Sequence, residues 1–575
     1  MIAVHVVLFV CRLGVSASVD TDRVATFLAV RQIVRRPGAL GHARVLIIAL
    51  CLACFAASAW SVARSNRRAV ATFRVGTTMV ADVTPRGASL EQAVDRVDPR
   101  GRFAMAAVAV STASSTLLAV DASRLPVAAF WPSGISSSGI AAVRRALVPR
   151  TAPEVRLPAA PIRVDASTDA TPAADVGLRD LDLSAWLSNS QAGTTIIDLG
   201  TLHRGAWTYT ASPSDLCPGG CRLAGIGIVP APRRQPPTAG KIELDVHGIS
   251  TRSRAGAWMA VPADLSAGGW RSGTGGVGVR AGSASGLLLS IPASAAAGYA
   301  GATGTATPPM AAVADSPVVL PGAVTSEVAS LNGAALAGGE VPTQGLDGNT
   351  LNVSTAVSST ALPGVGSNAV MVDLDLLSRG QVDPTARFAT DQVWLGPAAP
   401  PNVLARLRSA GLQVDTLQRA STVFAQAERS GPALADDFLL VATAAALLVA
   451  AASTLSALGM TTRQRATELT VLEVAGVRRR MLVRALGVET VVLVATTLFG
   501  AAAGVIAAIM AVPSLPELAA PSVIPLHYGL PAGLVAGVSA AVVAVVVAVS
   551  AVMALIVVRR MSPSLLRTAG DGLTG

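Results

Sequence analysis

The chain has 575 residues, of which 51% are hydrophobic and only 14% charged, a composition that fits a membrane protein better than a string of ordinary soluble domains. Its formal charge of +10 comes from dispersed arginines, with Lys241 as the single lysine and no basic run interleaved with stacking aromatics, so the footprint of a nucleic-acid-binding protein is missing. The same hydrophobicity excludes intrinsic disorder, because the chain has ample apolar surface to bury.

Residues 1–44 read as a cytoplasmic N-terminal segment. Two readings fit its apolar start, Met1 to Val10, followed by Ser16–Ser18: a signal peptide, against which the absence of a basic n-region weighs, or the remnant of a preceding hydrophobic segment. Uninterrupted apolar windows of about 20 residues, the length a bilayer core requires, predict four transmembrane helices. The first is 45–63, with Trp60 where an interfacial aromatic belongs. The second, third and fourth are 438–460, 486–512 and 530–558. Residues 64–436, between the first two spans, have polar breaks throughout and cannot be a membrane bundle.

Within that segment, residues 64–150 combine β-like runs, Phe103 to Val110 and Thr116 to Val120, with a helix SLEQAVDRV that starts at the N-cap residue Ser89. Residues 315–436 look similar, with strands at Val370 to Leu374 and Gln392 to Leu395 and a helix capped by Asn402 and stopped by Gly411. These two parts are expected to pair into one α/β domain. Residues 155–307 differ: the runs TTIIDLG, IGIVPA, KIELDVHG and GLLLSIPA, separated by Gly, Pro and Ser clusters, predict a β-sandwich-like insertion. Cys217 and Cys221 in CPGGC are close enough for a disulfide, which an extracellular compartment allows, with a pair of free thiols as the alternative; a metal site lacks the remaining ligands. Cys11, Cys51 and Cys54 fall in apolar segments, where they read as small packing residues.

Orientation follows from arginine in the short loops. The 461–484 loop holds Arg463, Arg465, Arg478, Arg479, Arg480 and Arg484, and the 559–575 tail holds Arg559, Arg560 and Arg567, whereas Pro513 to Tyr528 has no Lys or Arg. That places both termini and the 461–484 loop in the cytoplasm and the large domain outside the plasma membrane. Arg64, Arg67 and Arg68, directly after span one, nearly balance Arg31, Arg35, Arg36 and Arg44 before it and cut against this orientation.

Several chemistries find no residues to carry them. A P-loop requires GK[ST], but Ile242 follows the single lysine. Gly273, Gly275 and Gly278 match GxGxxG without opening onto a helix, so no helix dipole faces a phosphate. No HExxH or GxSxG occurs, and His5, His42, His203, His247 and His527 are scattered. Glu489 is the sole acid within a span, at its edge, where it reads as a partner for Arg484 or another interfacial arginine rather than a proton relay. Gly500 and Gly504, and Gly529, Gly533 and Gly537 at steps of four, predict close helix packing. In Ala466 to Arg480 the residues Leu469, Leu472 and Val477 recur at helical steps, predicting a helix with Arg478 to Arg480 at its C-terminal end.

The segment TTRQRATELTVLEVAGVRRRMLVRALGVETVVLVATTLFGAAAG, Thr461 to Gly504, resembles the cytoplasmic loop and following span of FtsX-like ABC permeases, the superfamily that includes MacB and the lipoprotein-releasing permeases. Arg465, Glu468, Leu472, Gly476, Arg478, Arg479, Arg480 and Glu489 match that pattern, as do RQIVRRPGAL before span one and SPSLLRTAG after span four. The resemblance implies a MacB-like one-plus-three layout with an extracellular porter-like domain, carrying ATPase-coupling residues in the 461–484 loop. It further implies a separate ABC ATPase partner that binds the ATP, no cofactor and no enzyme activity in this chain, and a second permease module, as homodimer or heterodimer. The apolar start resembles the end of a preceding span in longer, duplicated members, which raises the expectation that the chain is the second half of a two-module permease. A membrane-anchored extracellular binding or sensor protein without an ATPase is the alternative.

Overall fold

The computed structural model describes residues 37–560, apart from 87–88, 113, 150–153, 190–192, 214–216, 218–219, 254, 284–285, 302–307, 316, 334–338, 347, 349, 381–388, 515–523, 527 and 530–531. The apolar start, most of RQIVRRPGAL, the tail motif SPSLLRTAG and part of the loop between spans three and four lie outside the described residues. Two compact units emerge, one holding the long apolar helices and one spanning Val70–Val423 with the short stretch Val523–Pro525.

In the first unit four helices are long and apolar enough to cross a membrane: Arg44–Val75, Gly431–Ser456, Arg479–Ala511 and Ala532–Arg559. The chain is a multi-pass membrane protein on that ground. The first of these is the central post, with 61% of its most apolar window buried against 11% for the second and fourth. Leu46 and Ala49 pack with Ala450 and Val546, Leu50 and Cys54 with Ala501, and Ala59 and Val62 with Ala508 and Val512, so this one helix touches the other three along its length. Small residues make that possible. A Cβ on Gly500 would lie 2.9 Å from the Ile47 carbonyl oxygen and one on Gly504 2.4 Å from that of Cys51, so only glycine admits the two backbones at this separation. Gly529, Gly533 and Gly537 have nothing within 4 Å of a notional Cβ, and the close packing expected of them is not found among the described residues.

The second unit is mixed α/β. Its nine-stranded sheet runs, edge to edge, Glu340–Gln344, Thr350–Ser359, Leu320–Thr325, Ala369–Asp373, Thr116–Val120, Ala104–Ser111, Ala389–Leu395, Met79–Pro85 and Leu412–Arg419. Strands from before and after the insertion therefore share one sheet. Leu320–Thr325 pairs in parallel with Thr350–Ser359, as does Ala369–Asp373 with Thr116–Val120. Helix Leu90–Val97 starts where expected, its Ser89 hydroxyl accepting from the Gln92 amide at 3.3 Å, and buries Leu90, Ala93, Val94 and Val97 on one face of the sheet. Asn402 precedes helix Val403–Ser409 but makes no side-chain cap.

Between the two parts, two six-stranded sheets face each other over a core of their own, including Ile162, Val164, Leu183, Ile226, Leu244 and Leu289. Each expected run is a strand, and alternation is clearest in Lys241–Arg252, where Ile242, Leu244 and Val246 point inward. The insertion extends past residue 307: Met310–Val313 pairs with Trp270–Thr274 and with Cys221–Pro230, adding a strand too short to stand out in the sequence. Cys217 and Cys221 form a disulfide with their Cα atoms 5.5 Å apart.

Candidate functional site

Three places gather the charged residues that this apolar chain spends sparingly. The first is the turn between spans two and three. The helix that begins at Gly431 does not stop at the membrane edge; it continues to Val474, because nothing in Thr461 to Val474 breaks it. It ends at Gly476, whose φ of +93° supplies the left-handed residue that lets the Val477 amide reach the Leu472 carbonyl at 3.0 Å. The helix expected over 466–480 is thus the last part of span two's own helix, and Arg478 to Arg480 open the next helix instead of closing this one. Leu472 and Val477 pack on Leu469, Leu482 and Val557, tying the turn to spans three and four. Glu468, Val471, Val474, Gly476 and Arg478 to Arg480 are exposed. Arg479 also donates to the Val558 carbonyl at 3.1 Å, satisfying an end group of the last helix where a cation suits the dipole. Arg465 and Glu489 lie within helices, but their side chains are outside the described residues.

The second place explains the arginines after span one. Arg67, 14% exposed, is held by Glu428 at 3.1 Å and Asp436 at 2.8 Å, and Arg64 reaches Glu428 at 3.3 Å. The Trp60 indole donates to Asp437 at 2.9 Å, Arg64 stacks over Trp60 and Phe424, and Arg68 lies over Phe424. Arg64 and Arg67 are thus paired with acids that lie just before and within the start of the second long helix. Together these contacts clamp the first span to the start of the second.

The third lies in the large domain, where the insertion joins the nine-stranded sheet. Asp315 is fully buried and takes both prongs of the Arg222 guanidinium, at 2.5 and 2.6 Å. Arg379, at the end of helix Leu374–Gly380, binds Glu154 at 2.6 Å and Asp375, and donates to the Asp315 carbonyl at 3.4 Å. One guanidinium thus holds both the entering and the leaving strand of the insertion. Burial pushes the nearby Arg271 guanidinium down, with Arg222 adding repulsion and Asp315 opposing it. Alongside, burial raises the Asp373 carboxyl to about 6 and, with the charges of Asp375, Asp121, Asp373 and Asp95, the Glu91 carboxyl to about 7. None of this junction is visible as a motif, since its members are spread from residue 91 to residue 379.

The histidines are not all isolated either: His247 meets Ser167 and Asp245 on the insertion's outer face. Among the described residues, no group of three or more His, Cys, Asp or Glu side chains is placed to hold a metal ion. A comparison with curated proteins finds no match to the chain. Residues 440–563 match the family model described as FtsX-like permease C-terminal, which covers spans two to four and the turn at Gly476, so that this part of the chain is an FtsX-like permease domain and implies an ABC transporter permease with an ABC ATPase as its partner.

Proposed function

We propose that the chain is the membrane subunit of an FtsX/MacB-type ABC system that turns ATP hydrolysis on a separate polypeptide into movement of its large domain, outside the cell, and does not conduct a solute. The match of residues 440–563 to the permease domain carries this reading. Among the described residues the spans supply no charged lining for a hydrophilic substrate, and the acids and arginines cluster at helix ends and in the large domain. The exposed turn, with Glu468, Val471, Val474 and Arg478 to Arg480, is the surface offered to the ATPase. A change there would reach the first span through the helices packed on it, a rigid-body switch. The second and fourth spans, 11% buried, leave apolar faces for lipid and for a second permease module, a copy of this chain or a different one. Its cargo belongs to the cell envelope: a lipoprotein, a peptide or an envelope-remodelling partner.

Co-purification from detergent tests the reading. A P-loop ATPase should accompany the chain, and Glu468→Ala with Val474→Asp should abolish stimulation of its ATPase while leaving the membrane domain folded. Leu472 is a poorer choice than the sequence suggests, because it also packs inside the chain. ATP-dependent flux of a small labelled solute through reconstituted vesicles would overturn the transmission mechanism.

A further inference from the structure

The outer face of the insertion carries an arrangement that the permease reading does not use. Ser167 Oγ lies 2.9 Å from His247 Nε2, and His247 Nδ1 lies 3.9 Å from Asp245 Oδ1. The register brings them together: Asp245 stands directly opposite Ser167 on the neighbouring antiparallel strand, and pairing is interrupted between Val246 and Gly248, making His247 the extra residue of a bulge. Bulges free a side chain from the ladder and re-aim it. Asp245 is itself oriented, since its Oδ2 accepts from the Ser283 amide at 2.9 Å and the Ser283 hydroxyl at 2.5 Å. Its Oδ1 is buried and accepts no hydrogen bond among the described residues, so it is open to the Nδ1 proton of His247. A second carboxylate, Asp165, stands two residues before Ser167 on the same strand and is held by Arg163 at 2.9 Å and by the Thr208 hydroxyl at 2.7 Å.

Beside Ser167 opens a cleft of about 380 Å³, lined also by Asp169, Arg204, Gly205, Glu243 and Leu288. Arg204 is fixed by Asp175 at 3.1 Å and Asp169 at 3.2 Å and keeps guanidinium protons for a carbonyl oxygen. With the carboxylates of Asp169, Glu243 and Asp245 against the Arg204 guanidinium and the Lys241 ammonium, which pairs with Glu243 at 2.7 Å, a surplus of negative charge remains and the cleft favours neutral or cationic ligands over anions.

We propose that Ser167, His247 and Asp245 form a hydrolytic site for small neutral or amine-bearing carboxylic esters. A nucleophile, a base and an oriented acid in that order are the recognisable parts of such a site on any fold, and the second hydrogen bond is often long before substrate binds. His247 Nε2 takes the proton of Ser167 as Oγ bonds to the ester carbonyl carbon. The tetrahedral adduct then loses the alcohol, which departs with that proton, and leaves an acyl-serine. Water attacks the acyl carbon, passing its proton to Nε2; the carbon–Oγ bond breaks, Oγ recovers the proton, and the carboxylic acid is released. Water and the ester are the sole reactants, and Asp245 steadies the imidazolium that forms twice.

The test uses the full chain in detergent, with p-nitrophenyl acetate as substrate and a biotinylated fluorophosphonate as covalent probe. The probe should mark Ser167 by peptide mapping, and hydrolysis should fall at least ~100-fold in Ser167→Ala and in His247→Ala. In Ser167→Cys, iodoacetamide should alkylate residue 167 at least ~10-fold faster than when His247→Ala is also present, a readout that a purely structural contact would not move. No labelling at Ser167, equal hydrolysis by the alanine variants, or an alkylation rate indifferent to His247 would each overturn the proposal.

Discussion

Asp315→Ala tests whether the junction behind the insertion is as rigid as its geometry indicates. The side chain has no solvent exposure and forms a bidentate pair with Arg222, whose side chain is 11% exposed. Removing one member of a buried pair strands the other, at a cost of about 3–5 kcal/mol. Here the stranded guanidinium also faces Arg271, a like charge that Asp315 otherwise offsets. For a domain of 150–250 residues each kcal/mol moves the unfolding midpoint by about 2–4 °C, so the expected drop is on the order of 10 °C. Thermal unfolding of the full chain in detergent, followed by tryptophan fluorescence to which the buried Trp186 and Trp270 of the insertion contribute, measures the shift. The companion variant Arg222→Met with Asp315→Leu removes both charges and should be much less harmful than the single change, because no ion is left unpaired. A shift below about 2 °C for Asp315→Ala, or a double variant as damaged as the single one, would refute the argument from desolvation.

At the membrane, Gly504→Ala should destabilise the helix bundle by about 1–3 kcal/mol, since its Cβ has no room against Cys51, whereas Gly533→Ala should be neutral; detergent melting curves of the two variants compare them. Arg67→Met should loosen the clamp by about 1–3 kcal/mol by leaving Glu428 and Asp436 without their shared cation, and limited proteolysis around residue 430 should accelerate. For pH, Glu91 and Asp373 bind protons more tightly folded than unfolded, so the folded state carries the extra protons between about pH 4 and pH 7 and stability falls as pH rises through that window. Glu91→Gln should flatten this slope, and a denaturant midpoint that still falls as steeply from pH 4 to 7 would exclude Glu91 as a source.

The spans, the strand runs and the helix at Ser89 were legible because each signal is local: an apolar window, a period of two, a cap. What escaped was set by partners far away in sequence. The acids that hold Arg67, Glu428 and Asp436, lie far along the chain from it. The helix end was misplaced because the arginines at 478–480 suggested a C-terminus, while the backbone turn at Gly476 ended the helix before them. His247 looked isolated because Ser167 faces it only through sheet pairing, and Arg222 meets Asp315 only because two distant strands converge on one helix end.

That convergence makes the insertion a cassette in a socket. Glu154 and the Asp315 carbonyl are both within reach of the Arg379 guanidinium, so the two crossings of the chain lie within one side chain's span of each other, and the cassette carries its own hydrophobic core. A short linker in its place would not have to bridge any distance across the nine-stranded sheet. The insertion can therefore be exchanged, enlarged or lost while the nine-stranded sheet keeps its architecture.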